Sequence, residues 1–410
     1  MQLHRRGLFM TLCIPLGAAW LGYALAGDAV ARLIAGRLGE KLLRAADGKF
    51  ADPATFISGR IGEALVLATV FAALASAAVW IWHRLGCRPA TRPLRGLVMG
   101  LVLFVMLNLS AWFAGRTALF WAAFHDKEHV NNFVQYQIKK ALLGEEKEKR
   151  RMIIMGNSQA NRSIDERIIN RELGGGIWAY EMHQPGARGF DLFILSRDIR
   201  PRRGDLIVCY VSEISFYGMG SGIVVADFMS LKEVPAMLGM QGMQWISPGA
   251  VRSGLLGRLL PIYRFRDPLA TRLLGPDIVH IEQSLIKGAP ERDLETHARE
   301  WAPKLKVSGS SCFEQAAFRR MVEELGARGC ELWLIRGHLH PALRDHMDPS
   351  VSEDLELFLN RLATRHPQIT LLSHDRFFQP QPADFKDLVH FNDAAQERFT
   401  RDLAGILKNR

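Results

Sequence analysis

Residues 151–170 read RMIIMGNSQANRSIDERIIN. Four apolar residues, Met152 to Met155, run directly into Gly156, Asn157 and Ser158, and a polar stretch with helical spacing follows. A short apolar run closed by a small turn and continued by a helix is the pattern of a buried strand feeding a crossover. Such a corner can hold a serine out of the sheet as a nucleophile. It can equally be an ordinary strand-to-helix connection, so the serine's partners have to be found elsewhere in the chain.

Working outward, the alternation continues. The stretch SIDERIINREL predicts a helix that ends at glycines 174–176. IWAYEM predicts a second strand, GFDLFILSRDI a second helix closed by Pro201, and DLIVCYVS a third strand that is apolar nearly throughout. Later come the helix CFEQAAFRRMVEELGARG, the strand ELWLIRG, the helix VSEDLELFLNRLATRH, the strand ITLLS and the closing helix DAAQERFTRDLAGILKN. Alternating strands and helices predict an α/β fold with a parallel sheet and helices on both faces. Ligands of such sheets bind outside the carboxyl ends of the strands, and Ser158 stands at one. Residues 218–300 interrupt the alternation with a Met-rich segment carrying Arg252, Arg258, Arg264, Arg266 and Arg272. It reads as a helical insertion that caps the site or faces lipid or a partner, with a plain structural excursion an equal alternative.

The 410 residues are 48% hydrophobic and 23% charged, which excludes a disordered chain. Lys plus Arg number 52 against 42 Asp plus Glu, and a formal charge of +10 points to anionic partners. Three uncharged runs, 7–27, 64–82 and 96–115, are each near the ~20 residues that cross a bilayer. Trp20, Tyr23, Trp80, Trp82, Trp112 and Trp121 lie near their ends, as interfacial rings do. Three transmembrane helices are therefore expected within residues 1–124. The first run has a competing reading as a signal peptide, with Arg5 and Arg6 ahead of it and ALAG at its end. The loop 83–95 holds Arg84, Arg88, Arg92 and Arg95 and no acid, which places it and the N-terminus in the cytoplasm. The third span then delivers everything after about residue 124 to the outer side, in a bacterial envelope the periplasm, with the plasma membrane as anchor. The outer loop 28–62 has apolar residues near helical spacing, so that part of it can lie on the membrane. The charged stretch 125–150 reads as a solvated helical linker, and 151–410 as the outer domain. Much of the basic excess is assigned to topology, so no nucleic-acid partner is expected. Five cysteines make no disulfide framework; Cys312 and Cys330 could pair in an oxidising compartment, with two free thiols the plainer alternative.

A serine nucleophile needs a base, and the base an orienting acid. FKDLVHFNDAAQERF supplies Asp387 and His390, three apart and just before a helix, a spacing that can bring both side chains to one loop tip. Taken alone this is an ordinary surface loop. Together the segments resemble the SGNH (GDSL-like) hydrolases and acyltransferases, specifically their membrane-anchored branch that acetylates polysaccharides. Gly156-Asn157-Ser158 is similar to the first block, Asp387-x-x-His390 to the last, and QPGARGFDLFILSRDIRPRRGDLIVCYV to the second and third. The resemblance covers residues 150–217 and 370–408.

The resemblance implies a three-layer SGNH-type domain, preceded here by the three spans. It implies Ser158 as nucleophile, His390 as base and Asp387 as the residue that orients the histidine. It further implies an oxyanion hole from the backbone N–H groups of Ser158 and Gly186. The family's third donor, an asparagine after strand three, is replaced by Val211-Ser212-Glu213, so Ser212 would have to donate in its place, or that donor is lost. Substrate contacts are expected from Arg336 and Arg188 and from the RGHLHPALRDHMDP segment, chiefly His338 and His340, solvated surface positions being the plainer alternative for the arginines. That segment also holds Asp345, His346 and Asp348, but no matching ligand set stands elsewhere, so neither metal nor cofactor is expected. The implied activity is acyl transfer to, or ester hydrolysis on, a cell-envelope or exported polysaccharide, beside a multi-span membrane protein as acyl donor. The alternatives are an esterase acting on lipid or small esters and a non-catalytic glycan-binding scaffold.

Overall fold

A computed structural model describes residues 92–114, 132–145, 150–174, 176–218, 293–372 and 377–409, with isolated positions between 69 and 121 and between 252 and 263. Two compact units are present, Met1–Ala141 with Leu260–Leu274, and Leu142–Leu259 with Gly275–Arg410.

In the first unit, helix α1 (Arg92–Ala114) covers the third uncharged run with 23 residues. Leu97, Leu101, Leu103, Phe104, Leu107 and Trp112 are exposed along it. No helix among the described residues is long and apolar enough to cross a membrane. The expected spans 7–27 and 64–82 lie outside the described residues apart from Thr69 and Ser76, as does most of the expected insertion. Helix α2 (Asn132–Glu145) falls in the stretch expected to be a solvated linker, and there the structure differs. Val134, Tyr136, Ile138, Leu142, Leu143 and even Lys139 are buried, and Trp121 meets Phe133 edge to face with centroids 5.4 Å apart. The charges that suggested solvation cluster on either side of the helix, while its own residues carry the apolar face.

The second unit is an α/β domain whose five-stranded sheet is parallel throughout. The strands are β1 (Arg150–Gly156), β2 (Ile177–Glu181), β3 (Leu206–Val211), β4 (Glu331–Arg336) and β5 (Ile369–Leu372), in the order β2-β1-β3-β4-β5. All five fall where the apolar runs predict them. β3 is central and buried at every position, which its unbroken LIVCYV requires.

From β1 the chain steps one way to β2 and then back across β1 to β3. Right-handed crossovers therefore place the connecting helices on opposite faces. On one face Met152, Ile154, Val208, Tyr210 and Ile335 pack with Phe399, Leu403 and Leu407 of the closing helix and Ala160 and Ile169 of the first crossover. The alternate residues Ile153, Met155, Ile207, Cys209 and Leu334 are wholly buried on the other. The strand order reverses between β1 and β3, and the carboxyl ends of those two strands form the crevice where doubly wound sheets hold ligands.

The first crossover is a correction to the sequence reading. One helix was expected from Ser163; the chain forms two, α3 (Ser158–Ser163) and α4 (Glu166–Glu172). Asn157 caps the first by accepting the Gln159 N–H, Ile164 is extended, and Asp165 caps the second by accepting the Arg167 N–H. Two side-chain caps satisfy amides that a continuous helix would have bonded internally, and the break turns α3 so that it begins at Ser158 itself. The remaining α-helices among the described residues are α5 (Gly189–Ile199), α6 (Leu294–Trp301), α7 (Gly309–Ala327), α8 (Pro341–His346), α9 (Pro349–Arg365) and α10 (Asp393–Lys408). Cys312 and Cys330 are unpaired; Cys330 is buried and its thiol donates to the Arg202 carbonyl.

Candidate active site

Gly156 ends β1 where no side chain fits: a Cβ there would lie 2.5 Å from that of Ala160 and 2.9 Å from the Tyr210 carbonyl oxygen. The glycine lets α3 start tight against β3, and Ser158, the first residue of that helix, is left half-buried at the sheet edge. After β5 a loop returns to the same edge, tied by Lys386 N–H to the His390 carbonyl (2.8 Å) and by an antiparallel bridge between Phe385 and Phe391. Its tip carries Asp387 and His390.

The expected triad assembles across 232 residues of sequence. His390 Nε2 lies 2.8 Å from Ser158 Oγ, and His390 Nδ1 lies 2.8 Å from Asp387 Oδ2. Asp387 Oδ1 accepts the backbone N–H groups of Val389 and His390, both at 2.9 Å. Partial burial pushes the Asp387 carboxyl upward, but the hydrogen bonds and charge of His390 and the two amides outweigh it and hold the carboxyl below the usual carboxylate value. An ionised acid, an oriented imidazole and a serine hydroxyl in line are the parts needed to pass a proton from serine to histidine.

The expected oxyanion donors divide. The backbone N–H groups of Ser158 and Gly186 have no acceptor among the described residues, and both stand at carboxyl ends of strands, after β1 and after β2. Gly186 has φ +73°, a left-handed conformation that favours glycine, and the turn is docked by Gln184 N–H on the Gly156 carbonyl (3.0 Å). Ser212 does not serve. It is fully buried, its hydroxyl donates to Gln159 Oε1 at 2.5 Å, and its N–H donates to Ser215 Oγ at 3.1 Å. Neither donor is left for a substrate.

Nor are the expected substrate contacts all available. Arg188 is buried, caps α5, donates to the Phe216 carbonyl at 3.0 Å and faces Glu314 at 3.9 Å. Burial pushes the Glu314 carboxyl up to about 7 against the pull of Arg188 and the Phe190 amide. This pair belongs to the packing of α5 on α7. His338 is also buried, between Phe378, Phe391 and Phe399, with its N–H on the Tyr210 hydroxyl. His340 caps α8, packs on Phe385 and donates its N–H to the Leu388 carbonyl at 2.9 Å, so it braces the triad loop. Burial lowers its imidazole pKa below the ordinary value. Arg336 binds Glu213 at 2.8 Å and Glu356 at 3.4 Å and lines an open cleft. Among the described residues no group of three or more His, Cys, Asp or Glu side chains is arranged to hold a metal ion.

One central residue goes unmarked in the sequence. Gln159 is wholly buried beside the serine. Its Nε2 donates to the carbonyls of His338 (2.9 Å) and Val389 (3.2 Å), its Oε1 accepts from Ser212, and its N–H donates to Asn157 Oδ1 (2.9 Å). One amide thus joins the ends of β1, β3 and β4 to the peptide preceding His390. A buried glutamine with every group engaged is a positioning element, and only its neighbours in space reveal it. Gln159→Leu keeps the volume and strips the three side-chain bonds, while the backbone N–H stays on Asn157. Because displacement of about 1 Å can cost 10²-fold, the rate at which a serine-directed fluorophosphonate labels Ser158 is expected to fall ~10²-fold with thermal stability nearly unchanged; a labelling rate within twofold of the parent refutes the role. The chain matches no family model and no curated protein.

Proposed function

We propose that this chain is a membrane-anchored, outward-facing serine acyltransferase or esterase with a three-layer SGNH-type domain, acting on a cell-envelope or exported polysaccharide. The observation that carries the reading is the continuous Ser158–His390–Asp387 relay, with both links at 2.8 Å, at the reversal point of the parallel sheet. In the first half-reaction Ser158 Oγ attacks the acyl carbonyl while His390 Nε2 takes its proton. The oxyanion faces the Ser158 and Gly186 amides, and the leaving group departs with the proton from His390. In the second, His390 removes a proton from a sugar hydroxyl, whose oxygen attacks the acyl-serine, and Ser158 recovers its hydrogen. Water in place of the sugar gives hydrolysis.

Each oxyanion donor can be worth roughly 10²–10³ in rate. Losing Ser212 as a third donor slows both half-reactions, which suits transfer to a bound acceptor better than rapid general hydrolysis. Support for an anchor comes from the three uncharged runs, the acid-free arginine loop 83–95 and the exposed apolar side chains of α1. A multi-span acyl donor beside it would explain how acyl groups reach an outer site.

The test is covalent labelling of the full-length chain by a serine-directed fluorophosphonate, followed by acetyl-ester turnover with and without an oligosaccharide acceptor. Labelling confined to Ser158, absent from Ser158→Ala, with turnover accelerated by the acceptor, is the expected result. Turnover indifferent to acceptor selects the esterase. No labelling at Ser158 overturns the catalytic reading in favour of a glycan-binding scaffold.

A further inference from the structure

We infer that the cleft at the carboxyl end of β4 binds one acidic sugar residue of the acceptor polysaccharide; the inference rests on the acyltransferase reading for its substrate and on separate observations for its site. The cleft has a volume of about 160 Å³ and is open to solvent. Its walls include Arg336, Pro341, Arg344, Gln379, Pro380 and Phe385. Because the sheet is parallel, it opens on the same edge as Ser158.

Its wall is also the wall of the triad loop. Phe385 lines the cleft and bridges Phe391, and between these two residues stand Asp387 and His390. Leu339 also lines the cleft, and the next residue, His340, donates its N–H to the Leu388 carbonyl within that loop. An acceptor residue seated here therefore rests against the segment that presents the catalytic base.

The chemistry of the walls selects the ligand. Two prolines and a phenylalanine offer apolar surface for a ring face, Gln379 offers a polar group, and Glu213 also lines the cleft, bound to Arg336. The two arginines are not equivalent. Arg336 is already matched by Glu213 at 2.8 Å and Glu356 at 3.4 Å. Arg344 is exposed, and no acid among the described residues pairs with its guanidinium. A planar guanidinium is built to take a carboxylate through two parallel hydrogen bonds. Arg344, the one arginine of the cleft left unmatched by an acid among the described residues, thus asks for an anion on the sugar, and the apolar walls ask for more than a free anion.

Calorimetry on the full-length Ser158→Ala chain, which binds without turnover, tests this with three probes: a uronic-acid oligosaccharide, its carboxyl-reduced counterpart and inorganic phosphate. The carboxylated sugar is expected to bind about tenfold more tightly than the reduced one, as a charge-assisted bidentate contact warrants. Arg344→Gln is expected to bring the two within about twofold of each other, and phosphate is expected not to displace the sugar. Equal affinities in the parent chain, an unchanged preference in Arg344→Gln, displacement by phosphate, or no sugar binding overturns the proposal. Since binding here needs no catalysis, the fluorophosphonate result on Ser158 stands or falls independently.

Discussion

Asp387→Asn is expected to lower kcat on an acetyl ester by about 10³–10⁴ while leaving the fold intact. The two oxygens of Asp387 do different work. Oδ1 accepts two amides of its own loop, and Oδ2 accepts the Nδ1–H of His390. An asparagine can keep the first pair with its carbonyl oxygen, so the loop retains its shape. It must then turn its NH₂ toward Nδ1, which forces the imidazole to carry its proton on Nε2. That nitrogen lies 2.8 Å from Ser158 Oγ and would donate to it where it needs to accept. The nucleophile is present but cannot be deprotonated. Asp387→Ala should lose comparable activity and destabilise the loop as well, because Oδ1 goes too. The pH behaviour follows from the depressed carboxyl of Asp387. A folded pKa below the unfolded one adds stability that is fully present above the ordinary carboxylate value and lost as pH falls through the folded value. The Asp387 carboxylate therefore stays ionised through the neutral range. Steady-state kinetics beside thermal denaturation separate the two effects; an Asp387→Asn variant within tenfold of the parent would remove Asp387 from the mechanism.

Much of this arrangement was legible in the chain because it depends on local rules. The unbroken apolar run of β3 and the MIIMG step of β1 announce buried strands, and every expected strand is present. The Asp-x-x-His spacing before a helix marks a loop tip whatever the rest of the chain does. What stayed hidden depends on partners distant in sequence. Arg188 reads as a free charge until Phe216 and Glu314 are seen around it. Ser212 reads as a spare donor until Gln159, 53 residues earlier, takes its hydroxyl. The break at Ile164 was missed for a different reason: Asp165 fits the first turn of a helix as well as its cap, and the serine's own cap, Asn157, lay inside the motif being read for chemistry. The buried face of α2 was masked by the charges that flank it.

The opposite edge of the sheet carries the second large effect. Asp205→Ala is expected to cost about 3–5 kcal/mol, the loss typical of a buried ion pair deprived of one partner. Arg151 of β1 and Asp205, the residue before β3, are nearly inaccessible, with side chains 4% and 6% exposed. The guanidinium meets the carboxylate through both Nε, at 2.9 Å from Oδ1, and Nη2, which reaches Oδ2, and its Nη1 donates to the Leu143 carbonyl at 2.7 Å. Asp205 Oδ2 also accepts the Arg202 N–H at 2.6 Å, which shapes the turn into β3. Removing the carboxylate leaves a cation with one carbonyl for company and no route to water, together with an unmatched amide. The pair's net value is far smaller than that loss, because desolvating two charges offsets most of their attraction. The combination Arg151→Met with Asp205→Leu, which removes both charges and fills the space, is therefore expected to regain most of the stability lost by the single change. Urea denaturation of the three proteins measures both statements. A single-variant loss below about 1 kcal/mol would mean that the pair is solvated, and a double variant no better than the single one would mean that the site depends on the charges rather than on their mutual cancellation. Because Arg151 and Asp205 lie at the amino ends of β1 and β3, while Ser158 and His390 stand at the carboxyl edge, the folded fraction of each variant is expected to label with the serine probe as the parent does.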